Sequence, residues 1–96
     1  MTKVEYLVNK IRYQKMQIEL KKNELQVINN LIDKIDEYLG VVKDFKKDEL
    51  QQTYFELLNY YNSTEDELAS TIESLNYYLE RYKEHSGVEF NEENWV

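Results

Sequence analysis

From Val4 onward an apolar residue returns after three and then four residues, without a slip, to Val42. The positions are Val4, Leu7, Ile11, Gln14, Ile18, Lys21, Leu25, Ile28, Ile32, Ile35, Leu39 and Val42, interrupted only at Gln14 and Lys21. An apolar period of 3.5 residues held this long keeps one stripe turned toward a partner helix and makes a coiled-coil seam. A strand needs alternation at period two, so this tract excludes a sheet.

A second tract repeats the pattern through Leu50, Tyr54, Leu57, Tyr61, Thr64, Leu68, Thr71, Leu75, Tyr78 and Tyr82, with Leu58, Ile72 and Leu79 widening its stripe. The chain has no Pro and only Gly40 and Gly87, so the punctuation of hairpins and loops is missing. The expected fold is all-α, a long antiparallel two-helix coiled-coil hairpin over residues 1–86. Helix 1 covers about 2–40 and helix 2 about 46–85, followed by an acidic C-terminal tail, 87–96. Thr2 with Glu5 makes a T-x-x-E capping box at the start of helix 1. Gly40 follows a periodic run, the place where a left-handed glycine ends a helix, with the turn around Lys43 to Lys47. Arg81, Lys83 and His85 suit the C-terminal dipole of helix 2, which Ser86-Gly87 stops.

One interruption remains, Asn62-Ser63-Thr64, where Thr64 and Glu67 form a second capping box. It leaves a kink or break near Asn62 open. Lengths favour a single rod: helix 1 would measure roughly 58 Å and an unbroken helix 2 roughly 60 Å at 1.5 Å per residue. Folding back near residue 43 sets Lys21 opposite Glu65 and Asp66, so its ammonium meets carboxylates across the seam.

Helix 1 carries more apolar surface than one neighbour can cover. Tyr6, Tyr13, Leu20 and Val27 lie on the c column and Leu31 and Tyr38 on g, and with a and d these span roughly 160° of the helix. A second partner is therefore expected, either another copy in a homodimeric helical bundle or a different protein in a hetero-oligomer. Nine tyrosines are unusual for 96 residues. Tyr joins a large apolar area to a polar tip, which suits interfaces. The candidate partner-binding residues are Tyr6, Tyr13, Leu20, Val27, Leu31, Tyr38, Tyr60 and Tyr77, with Phe90 and Trp95 of the tail.

The net charge of −7 is uneven: residues 1–43 carry +2 and residues 44–96 carry −9. Only twelve Lys and Arg are present, too few and too scattered for phosphate contacts, so direct nucleic-acid binding is not expected. No apolar run approaches the ~20 residues of a membrane span. The charged first residues make no conventional signal peptide, and the expected localisation is cytoplasmic, or exported without such a signal. The chain has no Cys and a single His85, and no Glu-x-x-His pair for a helical di-metal site. No catalytic, cofactor or metal residues are therefore assigned, and an enzyme is not expected. The function expected is a non-enzymatic protein–protein interaction module, an adaptor or a secretion or toxin partner acting through its tyrosine-rich face. The alternative is an acidic inhibitor of the phage or mobile-element kind, whose −9 half occupies a basic site on a host or nucleic-acid-processing protein.

An acidic, cysteine-free helical hairpin of this size, with aromatic-x-Gly near its tip, resembles the WXG100-like small proteins of type VII secretion and the helical partners of LXG toxins. Tyr38-Leu39-Gly40 stands where those proteins carry Trp-x-Gly. Their Tyr-x-x-x-Asp/Glu export signal after the second helix is not matched, since Tyr82 is followed by Ser86, while Tyr61 and Glu65 have the spacing in mid-helix. The resemblance implies a helical hairpin that serves as a secretion or toxin partner.

Overall fold

A computed structural model of the chain describes residues 1–42 and 44–95. It holds two long helices, α1 (Lys3–Leu39) and α2 (Asp44–Ser86), then a single 3-10 turn at Glu92–Trp95. Among the described residues there is no strand. The two helices pack on each other as a helical hairpin, the all-α fold that the paired heptads predict. α2 runs through Asn62 without interruption. Thr64 does not cap a new helix. It sits in the seam at 2% exposure, and its hydroxyl donates to the Tyr60 carbonyl one turn back at 2.9 Å, so the buried oxygen is satisfied inside a continuous helix.

The packing divides into two compact units, Met1–Leu20 with Leu68–Val96, and Lys21–Glu67. In the first, Thr2 caps α1: its hydroxyl accepts the Glu5 N–H at 3.1 Å and its carbonyl accepts the Tyr6 N–H at 3.0 Å. The core is Leu7, Val8, Ile11 and Tyr82, with Val4, Leu75, Tyr78, Leu79, Phe90 and Trp95 packed against it. Ile11 is wholly buried, which contributes roughly 1.5–3 kcal/mol relative to an exposed side chain. Val8 is outside the a and d columns and is nevertheless 2% exposed.

α2 ends in this unit on Gly87, whose φ of 78° lies in the left-handed region. The Gly87 N–H donates to the Lys83 carbonyl at 2.8 Å, closing the last turn. The Ser86 hydroxyl donates to the Tyr82 carbonyl at 2.8 Å and accepts the Val88 N–H at 3.3 Å, which redirects the chain. Asn91 then starts the 3-10 turn, its side-chain carbonyl accepting the Glu93 N–H at 3.1 Å.

The second unit buries Ile28, Ile32 and Thr64, flanked by half-buried Leu25, Ile35, Tyr54, Leu57 and Tyr61. Its turn differs from the expectation. Gly40 does not adopt a left-handed conformation; among the described residues Gly87 alone has positive φ. α1 instead tightens at its end, with the Gly40 N–H on the Glu37 carbonyl at 3.2 Å and the Val41 N–H on the Tyr38 carbonyl at 3.1 Å. α2 already begins at Asp44, two residues before the expected start of helix 2, so the turn is shorter than a stretch from Lys43 to Lys47. Lys43, also expected there, lies outside the described residues.

Lys21 is held across the seam as expected, but by Glu67 rather than Glu65 or Asp66. The fold-back therefore sits slightly farther along α2 than a reversal at residue 43 implies. The Glu67 hydrogen bond raises the Lys21 pKa above its ordinary value, against partial desolvation and with help from the charges of Glu67, Glu24 and Tyr60.

Candidate functional site

The sequence-derived interaction residues of α1 all lie on the surface. In the first unit Tyr6, Tyr13 and Leu20 are 46%, 52% and 50% exposed, while Leu7, Ile11 and Ile18 on the neighbouring columns are buried. Met16, three residues after Tyr13 and four before Leu20, is also exposed and extends the same face. The sequence reading passed over Met16 because it belongs to no a, c, d or g column. Lys10 holds its ammonium 5.5 Å from the centre of the Tyr6 ring, a cation–π contact one turn along the helix.

In the second unit Val27, Leu31 and Tyr38 are exposed, as are Tyr60 and the unforeseen Phe55 on α2. Tyr77, on α2 in the first unit, is exposed and meets Tyr78 edge-on at 5.3 Å. The seam columns of α1 thus go inward and its c and g columns remain on the surface, while Val8 on the other flank is buried.

Phe90 and Trp95 are placed otherwise. Both of these candidate partner-binding residues of the tail are packed against the protein's own core. Tyr82 is the hub. It is 3% exposed, meets Phe90 edge-on at 5.4 Å and Trp95 edge-on at 6.3 Å, and its hydroxyl accepts the Trp95 indole N–H at 3.1 Å.

Charges fasten the same segment. The Arg12 guanidinium donates to the Trp95 backbone carbonyl and lies 3.7 Å from the Glu92 carboxylate. The Lys15 ammonium meets Glu92 at 3.0 Å and stands 4.9 Å from the centre of the Phe90 ring. Lys83 and Glu89 pair at 3.5 Å. Sequence reasoning missed Arg12, Lys15, Val8 and Glu92 as a set. The available signal was charge: Lys10, Arg12 and Lys15 cluster early in α1, and Glu89, Glu92 and Glu93 surround the tail aromatics.

No described group of three or more His, Cys, Asp and Glu side chains is placed to hold a metal ion. Among the described residues no helix is long and apolar enough to cross a membrane. What the surface offers among the described residues is apolar and aromatic area with scattered charge. Compared with protein-family models, with curated proteins and with solved structures, the chain matches none of them.

Proposed function

We propose that this protein is a non-enzymatic interaction module, an adaptor or secretion partner, that binds another protein through the tyrosine-bearing face of α1. The observation that carries the reading is the row Tyr6, Tyr13, Met16 and Leu20, each about half exposed beside a seam that buries Leu7, Ile11 and Ile18. A row of large apolar side chains at helical spacing is the kind of patch that marks association sites on soluble proteins. Tyr loses little rotamer freedom on docking and keeps its hydroxyl wet at the rim, which suits a surface that must also tolerate water. The resemblance to the WXG100-like proteins and to the helical partners of LXG toxins supports the same reading, since those helical proteins accompany another protein.

A second copy of this chain is the first occupant to test, because two-fold dimers are the commonest soluble assembly. Sedimentation equilibrium of the wild type and of a Tyr13→Glu/Leu20→Glu variant makes the test. The expected result is a concentration-dependent dimer that the double change converts to a monomer of unchanged helicity. A wild-type monomer at every concentration, whose stability is indifferent to the double change, would overturn the proposal.

The acidic-inhibitor alternative is supported by the −9 carried by residues 44–96. It requires binding to a basic protein surface that weakens steeply with salt, whereas association through the tyrosine face strengthens or holds as salt rises.

A further inference from the structure

We infer that the first unit contains a second, separate interaction site, a groove for an acidic aromatic peptide, whose resident ligand is the protein's own segment 88–95. The inference starts from how that segment is attached. α2 stops at Gly87, and beyond it the chain forms only one 3-10 turn. What fastens the segment to the helices is a set of side-chain anchors of the kind a bound peptide uses. Two aromatic rings, Phe90 and Trp95, flank Tyr82 and so pack against the core cluster to which Tyr82 belongs. Between them one carboxylate, Glu92, is clamped by Arg12 and Lys15.

The groove therefore reads the pattern Phe-x-Glu-x-x-Trp. Each part has a dedicated counterpart: Lys15 covers the Phe90 ring and holds Glu92, Tyr82 receives the indole N–H, and Arg12 takes the backbone carbonyl of Trp95. The clamp is open to water, with the Arg12 and Glu92 side chains 40% and 50% exposed. Exposed ion pairs weaken with salt and contribute little alone, so the segment is held by a few moderate contacts and releases without unfolding the helices. Release uncovers the Tyr82 ring and takes Glu92 away from Arg12 and Lys15. Because the connection through Gly87 is short, the resident segment acts at an effective concentration on the order of millimolar, and a segment from another molecule must compete against it.

This site is independent of the tyrosine face of α1 and can be tested alone. The probe is a fluorescein-labelled synthetic peptide of residues 87–96, titrated by anisotropy into the full chain and into the full chain carrying Phe90→Ala and Trp95→Ala. The variant, its own ligand disabled, is expected to bind the peptide at least tenfold more tightly than the wild type, and more weakly at high salt. The same peptide with Glu92→Lys is expected to bind the variant at least tenfold more weakly. Equal binding to variant and wild type, or indifference to Glu92→Lys, would overturn the inference.

If the double variant loses its helical signal, the decisive variant becomes Glu92→Lys in the full chain, which keeps both aromatic rings. Trp95 is the only Trp, so its emission reports the segment directly. Release is expected to shift that emission to the red and raise acrylamide quenching at least twofold, and added salt should move the wild type the same way. Emission and quenching that match the wild type at all salt concentrations would overturn the inference.

Discussion

Two residues carry opposite lessons about polar groups in an apolar seam. Lys21 occupies a d position and is tolerated because its flexible stem reaches Glu67 at the edge, where the Glu67 side chain is 58% exposed. Lys21→Leu is expected to raise the urea midpoint, since the seam gains an apolar side chain at a d position. The pairing raises the Lys21 pKa, so its stabilising contribution is complete below the ordinary value of 10.5 and is lost as pH climbs through the raised value. The advantage of Lys21→Leu over the wild type should therefore widen above pH 10.5, and a gap constant across that range would show that the pairing does not affect stability. Tyr82 is a polar side chain buried on purpose. Tyr82→Phe removes only the acceptor for the Trp95 indole and should cost about 0.5–1.5 kcal/mol. Tyr82→Ala also empties the space between Phe90 and Trp95 and should cost about 3–5 kcal/mol in thermal or chemical denaturation.

At the level of elements the sequence is most readable where it is periodic. Both helices, their seam and the outward columns follow from heptads, because one spacing decides which side chains can touch a neighbour. Helix ends are less readable. Gly40 and Gly87 each follow a periodic run, yet only Gly87 is left-handed, since only there does a Ser86 hydroxyl receive the redirected backbone. Gly87→Ala should cost about 1 kcal/mol, whereas Gly40→Ala, whose new Cβ would meet the Glu37 carbonyl at an ordinary 3.4 Å, should stabilise by about 0.4–1 kcal/mol. Asn62 offers a test by sign. In a continuous helix Asn62→Ala is expected to gain a few tenths of a kcal/mol; at a true cap it would lose about 1 kcal/mol. Denaturation of that one variant decides between them. The packing of residues 88–95 was legible only as complementary charge, because it has no period. It is encoded as a match of rings and charges between stretches far apart in the chain.

For the whole molecule that separation has a meaning in time. Lys21 and Glu67 are 46 residues apart, and the turn between their helices is short, so residues 21–67 can close as soon as they have been synthesised. The contact between Arg12 and Trp95 spans 83 residues, and until α2 is nearly complete Leu7, Val8 and Ile11 have nothing to pack on. Loop closure disfavours long-range contacts until nearer ones have shortened the path. Folding should thus run outward from the turn. Ile32→Val is expected to slow folding, and Val8→Ala to speed unfolding while leaving the folding rate almost unchanged, in stopped-flow experiments across denaturant. The reverse pattern would place the nucleus at the other unit. During synthesis, then, the first half of α1 waits in contact with solvent and chaperones, and its apolar residues are at their most aggregation-prone before Tyr82 and the segment behind it arrive.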